Sequence, residues 1–175
     1  MNKLVFLLLS QFLLLLLELA MGNCGWTLPW ALLGALYIVL ALGKNWGVAA
    51  ALIAGSVLAV LYGGGWNLLK IIVYPLLAGL TGWWIDRHDE DISLRFWTPG
   101  AWAGVAAAVP ALASILFRWG ESGIYPMELH WLLLRVLWTA IVSAGLFAMI
   151  IFVGEAAAEF LDLPRFLTRK GGEKR

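Results

Sequence analysis

Three charged residues sit inside stretches that are otherwise almost wholly apolar: Glu18, Lys70 and Arg135. A lone charge inside lipid costs about 2.5–3.5 kcal/mol on insertion scales, so such residues pair, snorkel or serve a site. Glu18 is expected to pair with Arg135, Lys70 or both. That cluster would act as a binding or relay site, or as an ion pair pinning helices together. A second polar group is the run Asp86-Arg-His-Asp-Glu-Asp. Asp86, His88, Asp89 and Asp91 could hold Mg²⁺ or perform acid–base chemistry. The run is interleaved with Arg87 and has no second acidic cluster to complete a two-metal site, which favours a solvated loop. No serine or threonine stands beside a histidine, so no nucleophile–base pair is visible. Gly63-Gly64-Gly65 lacks the Gly-Lys-Ser/Thr continuation of a phosphate loop. The single cysteine, Cys24, excludes an internal disulfide framework and a cysteine metal site. No cofactor is expected.

The elements that must position these residues are membrane helices. The chain has 175 residues, 62% hydrophobic and 13% charged, with a mean hydropathy of +0.87. A soluble domain carries roughly 25% charged residues. The net charge of +1 and the absence of a basic stripe outside the tail give no reason to expect a nucleic-acid partner. Apolar runs predict six transmembrane helices at 4–21, 28–42, 46–62, 68–85, 101–117 and 129–153. Residues 1–153 thus form one transmembrane domain, and 154–175 form a polar tail. The first run could be a signal peptide, but it extends to Leu17 and ends on Glu18, which favours an uncleaved span.

Positive charge fixes the expected orientation. Lys3, Lys44, Arg87, Arg95, Arg165, Arg169, Lys170, Lys174 and Arg175 fall at the termini and even-numbered loops. Only Arg118 falls in an odd-numbered loop. Nine against one predicts that both termini are cytoplasmic. Of the 11 tryptophans, only Trp138 lies well inside a predicted span; the others form an interfacial aromatic belt. In the tail, Phe160, Leu161 and Leu163 could face lipid while Glu155, Glu159 and Asp162 face water. Arg165, Arg169 and Lys170 suit an anionic leaflet. Gln11 can hydrogen-bond a neighbouring helix. Gly43, Gly47 and Gly55, spaced by multiples of four, are candidates for close helix packing, within the chain rather than at a dimer seam.

From 29 to 65 the chain resembles a known family. Pro29-Trp-Ala-Leu-Leu-Gly, the turn Gly43-Lys44-Asn45, the segment Gly47-Val-Ala-Ala-Ala-Leu-Ile-Ala-Gly55 and the glycine turn at 63–65 are similar to MreD, the small membrane subunit of the bacterial rod-shape system. Gln11 matches a glutamine in that family's first span. Gly55 fits its third-span glycine, whereas Ala59 replaces the aspartate found four residues later in many members. The resemblance implies a non-catalytic inner-membrane scaffold with a fold like that of ECF-type substrate-binding subunits. It also implies binding to the bitopic protein MreC, and work with other elongation-machinery proteins in cell-wall synthesis and the regulation of cell shape. Two alternatives stay open: a small-molecule transport subunit accepting a vitamin-sized anion near Glu18, Lys70 and Arg135, and a small membrane enzyme of lipid metabolism using the 86–91 loop.

Overall fold

The computed structural model describes residues 2–23, 28–63, 65–87, 97–122 and 126–160. They form six helices: α1 Asn2–Asn23, α2 Trp30–Leu42, α3 Lys44–Tyr62, α4 Gly65–Arg87, α5 Trp97–Ser122 and α6 Pro126–Phe160. Five contain segments long and apolar enough to cross a membrane: Lys3–Gly22, Lys44–Tyr62, Asn67–Arg87, Thr98–Phe117 and Leu129–Phe160. The chain is therefore an all-α, multi-pass membrane protein. α4 and α5 run unbroken through Pro75 and Pro110.

The expected second span is different in kind. α2 has 13 residues, about 20 Å of helix against about 30 Å of hydrocarbon. Every residue from Trp30 to Ala41 is buried, and α2 packs against all five other helices. Its sequence is apolar all round because protein surrounds it on every side. α2 is the core of the bundle and presents almost nothing to lipid.

Glycines set how closely the neighbours approach. A Cβ at Gly47 would lie 2.9 Å from the Val39 backbone nitrogen, so only glycine admits this α2–α3 crossing. At Gly55 a Cβ would lie 2.5 Å from the Lys70 carbonyl oxygen, locking α3 onto α4. The Lys44 side chain lies across Gly82 in the same pair. Gly100 and Gly104 admit the carbonyl oxygens of Ala144 and Ala140, joining α5 to α6. Gly43 belongs to another class. Nothing would meet its Cβ, and its φ of +98° makes it the turn between α2 and α3 rather than a packing residue.

Contacts between helix ends define the topology. Near the end of α1, Glu18 meets the start of α2, and Gly22 abuts the Tyr62 hydroxyl at the end of α3. Towards the opposite end, the Phe6 ring meets Tyr37 edge-on at 6.5 Å, and Tyr37 bonds Glu155 of α6. Thus α1 and α3 run parallel, with α2 returning between them. The start of α1 and the last turns of α6 share one end of the bundle. α5 attaches to α4 through Trp102, which stacks on Trp84 at 5.0 Å and donates its indole N–H to Thr81 at 2.8 Å.

Candidate functional site: a buried polar cluster on the central helix

The start of α2 lacks a side-chain cap from its own strand of sequence, because Pro29 occupies the N-cap position. The cap comes from α1 instead. The Ala31 N–H donates to Glu18 Oε2 at 2.9 Å, and the positive end of the α2 dipole favours the carboxylate there. Glu18 is only 8% exposed. The buried Tyr74 of α4 also acts on the carboxylate. The Lys70 ammonium, one turn earlier on α4, acts on it electrostatically. Lys70 also lies 5.4 Å from the centre of the Tyr62 ring, a cation–π placement. The tight α3–α4 crossing at Gly55 passes over the Lys70 backbone itself and so sets where this side chain can reach.

The structure brings Glu18 and Lys70 into one cluster and leaves Arg135 outside it. The groups acting on Glu18 are Ala31, Lys70 and Tyr74. Arg135 is exposed on α6, a helix that packs chiefly on α5. Depth in the membrane carries no information about position around the bundle.

Two turns before Glu18 on α1, the same face carries a second polar contact. Gln11, 1% exposed, donates its amide to the Ala31 carbonyl at 3.3 Å and accepts the Ala35 N–H at 3.1 Å. It thus inserts across one backbone hydrogen bond of α2. Gly34 makes room, since a Cβ there would lie 3.2 Å from the end of the Gln11 side-chain amide and collide with Leu14.

Lower on α2, the Tyr37 hydroxyl donates to Glu155 Oε1 at 3.3 Å. The ring fits against Gly154, whose missing Cβ would otherwise strike it. Glu155 is buried at 9% exposure, so the expectation that it faces water is overturned. α6 continues through Phe160 and docks its Glu155 and Ala158 inward, while Glu159 and Phe160 are exposed. The rest of the expected tail, 161–175, lies outside the described residues.

The other polar residues are accounted for locally. Ser10, Thr81, Ser114 and Thr139 donate to the carbonyls of Leu7, Leu77, Ala111 and Arg135. Ser143 Oγ and Trp30 Nε1 are buried without a hydrogen-bond partner. Asp86 and Arg87 end α4, with the Arg87 guanidinium 4.5 Å above Trp83. His88, Asp89 and Asp91 lie outside the described residues. Among the described residues, no group of three or more His, Cys, Asp or Glu is placed to hold a metal ion. His130 is exposed beside Trp131. The apolar crevice lined by Leu36, Leu40, Thr81, Trp84, Trp102 and Phe147 has no room for a water molecule.

Sequence reasoning missed Tyr74, the Tyr37–Glu155 contact and Gly145. Gly34, Gly47, Gly55, Gly82, Gly100, Gly104 and Gly154 each surrender their Cβ space to a neighbour within the chain. Gly145 does not. It lies in mid-α6, exposed, with nothing within 4 Å of where a Cβ would stand. The face it shares carries Trp138, Ile141, Met149 and Phe152, all exposed by more than half. No protein-family model matches this chain, and neither a curated protein nor a solved structure matches it.

Proposed function

We propose that this chain is a non-catalytic scaffold of a bacterial inner membrane, of the MreD kind, with both termini cytoplasmic. On this reading it binds the transmembrane helix of an MreC-like bitopic protein in the cell-wall elongation machinery. The observation that carries the reading is Gly145. Glycine in mid-helix costs about 1 kcal/mol relative to alanine, and no neighbour among the described residues uses the gap. A helix from another chain can use it. Lipid provides no hydrophobic drive between helices, so association rests on close backbone approach and van der Waals fit. Trp138, Ile141, Met149 and Phe152 flank the gap as ridges that a crossing helix could interdigitate with. The cluster on α2 supports the same reading from within. Its carboxylates and Gln11 are engaged on the chain's own backbone and side chains, which suits a rigid platform. The nine-to-one distribution of cations supports the orientation.

The test is Gly145→Leu. A Cβ at this position meets no atom within 4 Å among the described residues, so expression and melting temperature should hold. Co-purification of the MreC-like partner should fall at least tenfold, and cells carrying the variant should lose rod shape. Undiminished capture by a well-folded Gly145→Leu protein would sink the proposal.

A further inference from the structure

α2 is gripped at two points by side chains of two different helices. At its first turn the grip is Glu18 of α1 on the Ala31 N–H. About 9 Å along the axis, six residues on, it is Glu155 of α6 on the Tyr37 hydroxyl. Between them Gln11 is bonded to the α2 backbone at Ala31 and Ala35. The stretch between the grips has no proline and is buried throughout. Close-packed interiors do not deform continuously, and a helix enclosed on all sides cannot relax by bending into solvent. A displacement imposed at Tyr37 must therefore move Ala31 as well. We propose that α2 is a coupling rod. It links the last turns of α6, from which the charged segment 161–175 continues, to the Glu18–Lys70–Tyr74 cluster near the opposite end of the bundle. Whatever engages the α6 extension is felt at the cluster, and the reverse holds because coupling free energies are reciprocal. The inference goes beyond the scaffold reading and does not depend on which partner binds.

Hydrogen exchange of the full chain in lipid nanodiscs, read by mass spectrometry, tests it. Tyr37→Phe removes one hydroxyl and keeps the ring that fills the Gly154 notch. It should speed exchange at 31–35 about threefold or more, the scale of one lost hydrogen bond. Reciprocally, Glu18→Gln should speed exchange at 150–158. Amides of α5 at 103–115 should stay within error in both variants. Changes confined to the end that carries the substitution would overturn the proposal. So would an equal rise in α5, which would indicate general loosening.

Discussion

The same substitution, glycine to alanine, should have opposite signs at Gly55 and Gly145. A Cβ at Gly55 would stand 2.5 Å from the Lys70 carbonyl oxygen, 2.9 Å from its carbonyl carbon and 3.2 Å from Ile71 Cα. All three are backbone atoms, so no side-chain rotation relieves the contact. Restoring ordinary separation, near 3.4 Å, requires α3 and α4 to part by about 0.9 Å at their crossing. Overpacking of this kind costs about 1–3 kcal/mol, and backbone against backbone belongs in the upper half of that range. The helix-propensity gain of alanine returns up to about 1 kcal/mol. Gly55→Ala should therefore destabilise by about 1–2 kcal/mol, roughly a 5- to 30-fold shift in the folded-to-unfolded ratio. Gly145→Ala meets nothing and should stabilise by about 0.4–1 kcal/mol. Thermal melting followed by size-exclusion chromatography, with equilibrium unfolding in mixed micelles, reads both. If Gly55→Ala melts at or above the parent temperature, the close-approach account of the α3–α4 crossing is wrong. If Gly145→Ala melts lower, the glycine has an internal role that the geometry does not contain.

Four further outcomes follow from the cluster and the α4–α5 seam. Glu18→Ala removes the cap of α2 and leaves the Ala31 N–H unsatisfied in a buried site, costing about 1–3 kcal/mol in mixed-micelle unfolding. Lys70→Met should cost less in the Glu18→Ala background than alone, and strict additivity in that double-mutant cycle would deny the pairing. Gln11→Leu should cost only about 0.6 kcal/mol, the average for an interhelical hydrogen bond in membranes, and a loss of several kcal/mol in mixed-micelle unfolding would mean Gln11 does more than bond α2. Trp102→Phe keeps an aromatic ring against Trp84 but loses the donor to Thr81. It should lower stability by about 0.5–1.5 kcal/mol, with Trp102→Ala costing a further 0.5–1.5 kcal/mol or so in the same unfolding assay.

The helices were legible because a long apolar run has one interpretation in a chain with so few charges. Their ends were harder: α6 begins and ends several residues beyond its expected bounds, since amphipathic turns at a membrane edge continue a helix without adding hydropathy. The rank of α2 as the core was not legible, because an apolar helix facing lipid and one facing protein have the same composition. Length was the available clue, as 28–42 was already short for a span. Depth alone made Lys70 and Arg135 equal candidates for Glu18, and choosing between them needed the packing of α4 and α6 around the bundle. Glu155 looked solvated because its partner, Tyr37, lies 118 residues away. A Cβ at Gly47 or Gly55 would strike the neighbouring helix, whereas Gly43 shares their spacing and is a turn. Four-residue periodicity reports helical faces, and Gly43 is outside any helix.

The shortness of α2 also bears on how this protein is made. A nascent segment leaves the translocon sideways when its own hydrophobicity and length favour lipid, and thirteen residues fall below the usual requirement of about 20. α2 therefore has no stable place in the bilayer until protein surrounds it. The turn to α3 is the single residue Gly43, which delivers a full-length apolar helix immediately behind it. α2 and α3 enter the membrane as one hairpin, with α3 supplying the commitment that α2 lacks.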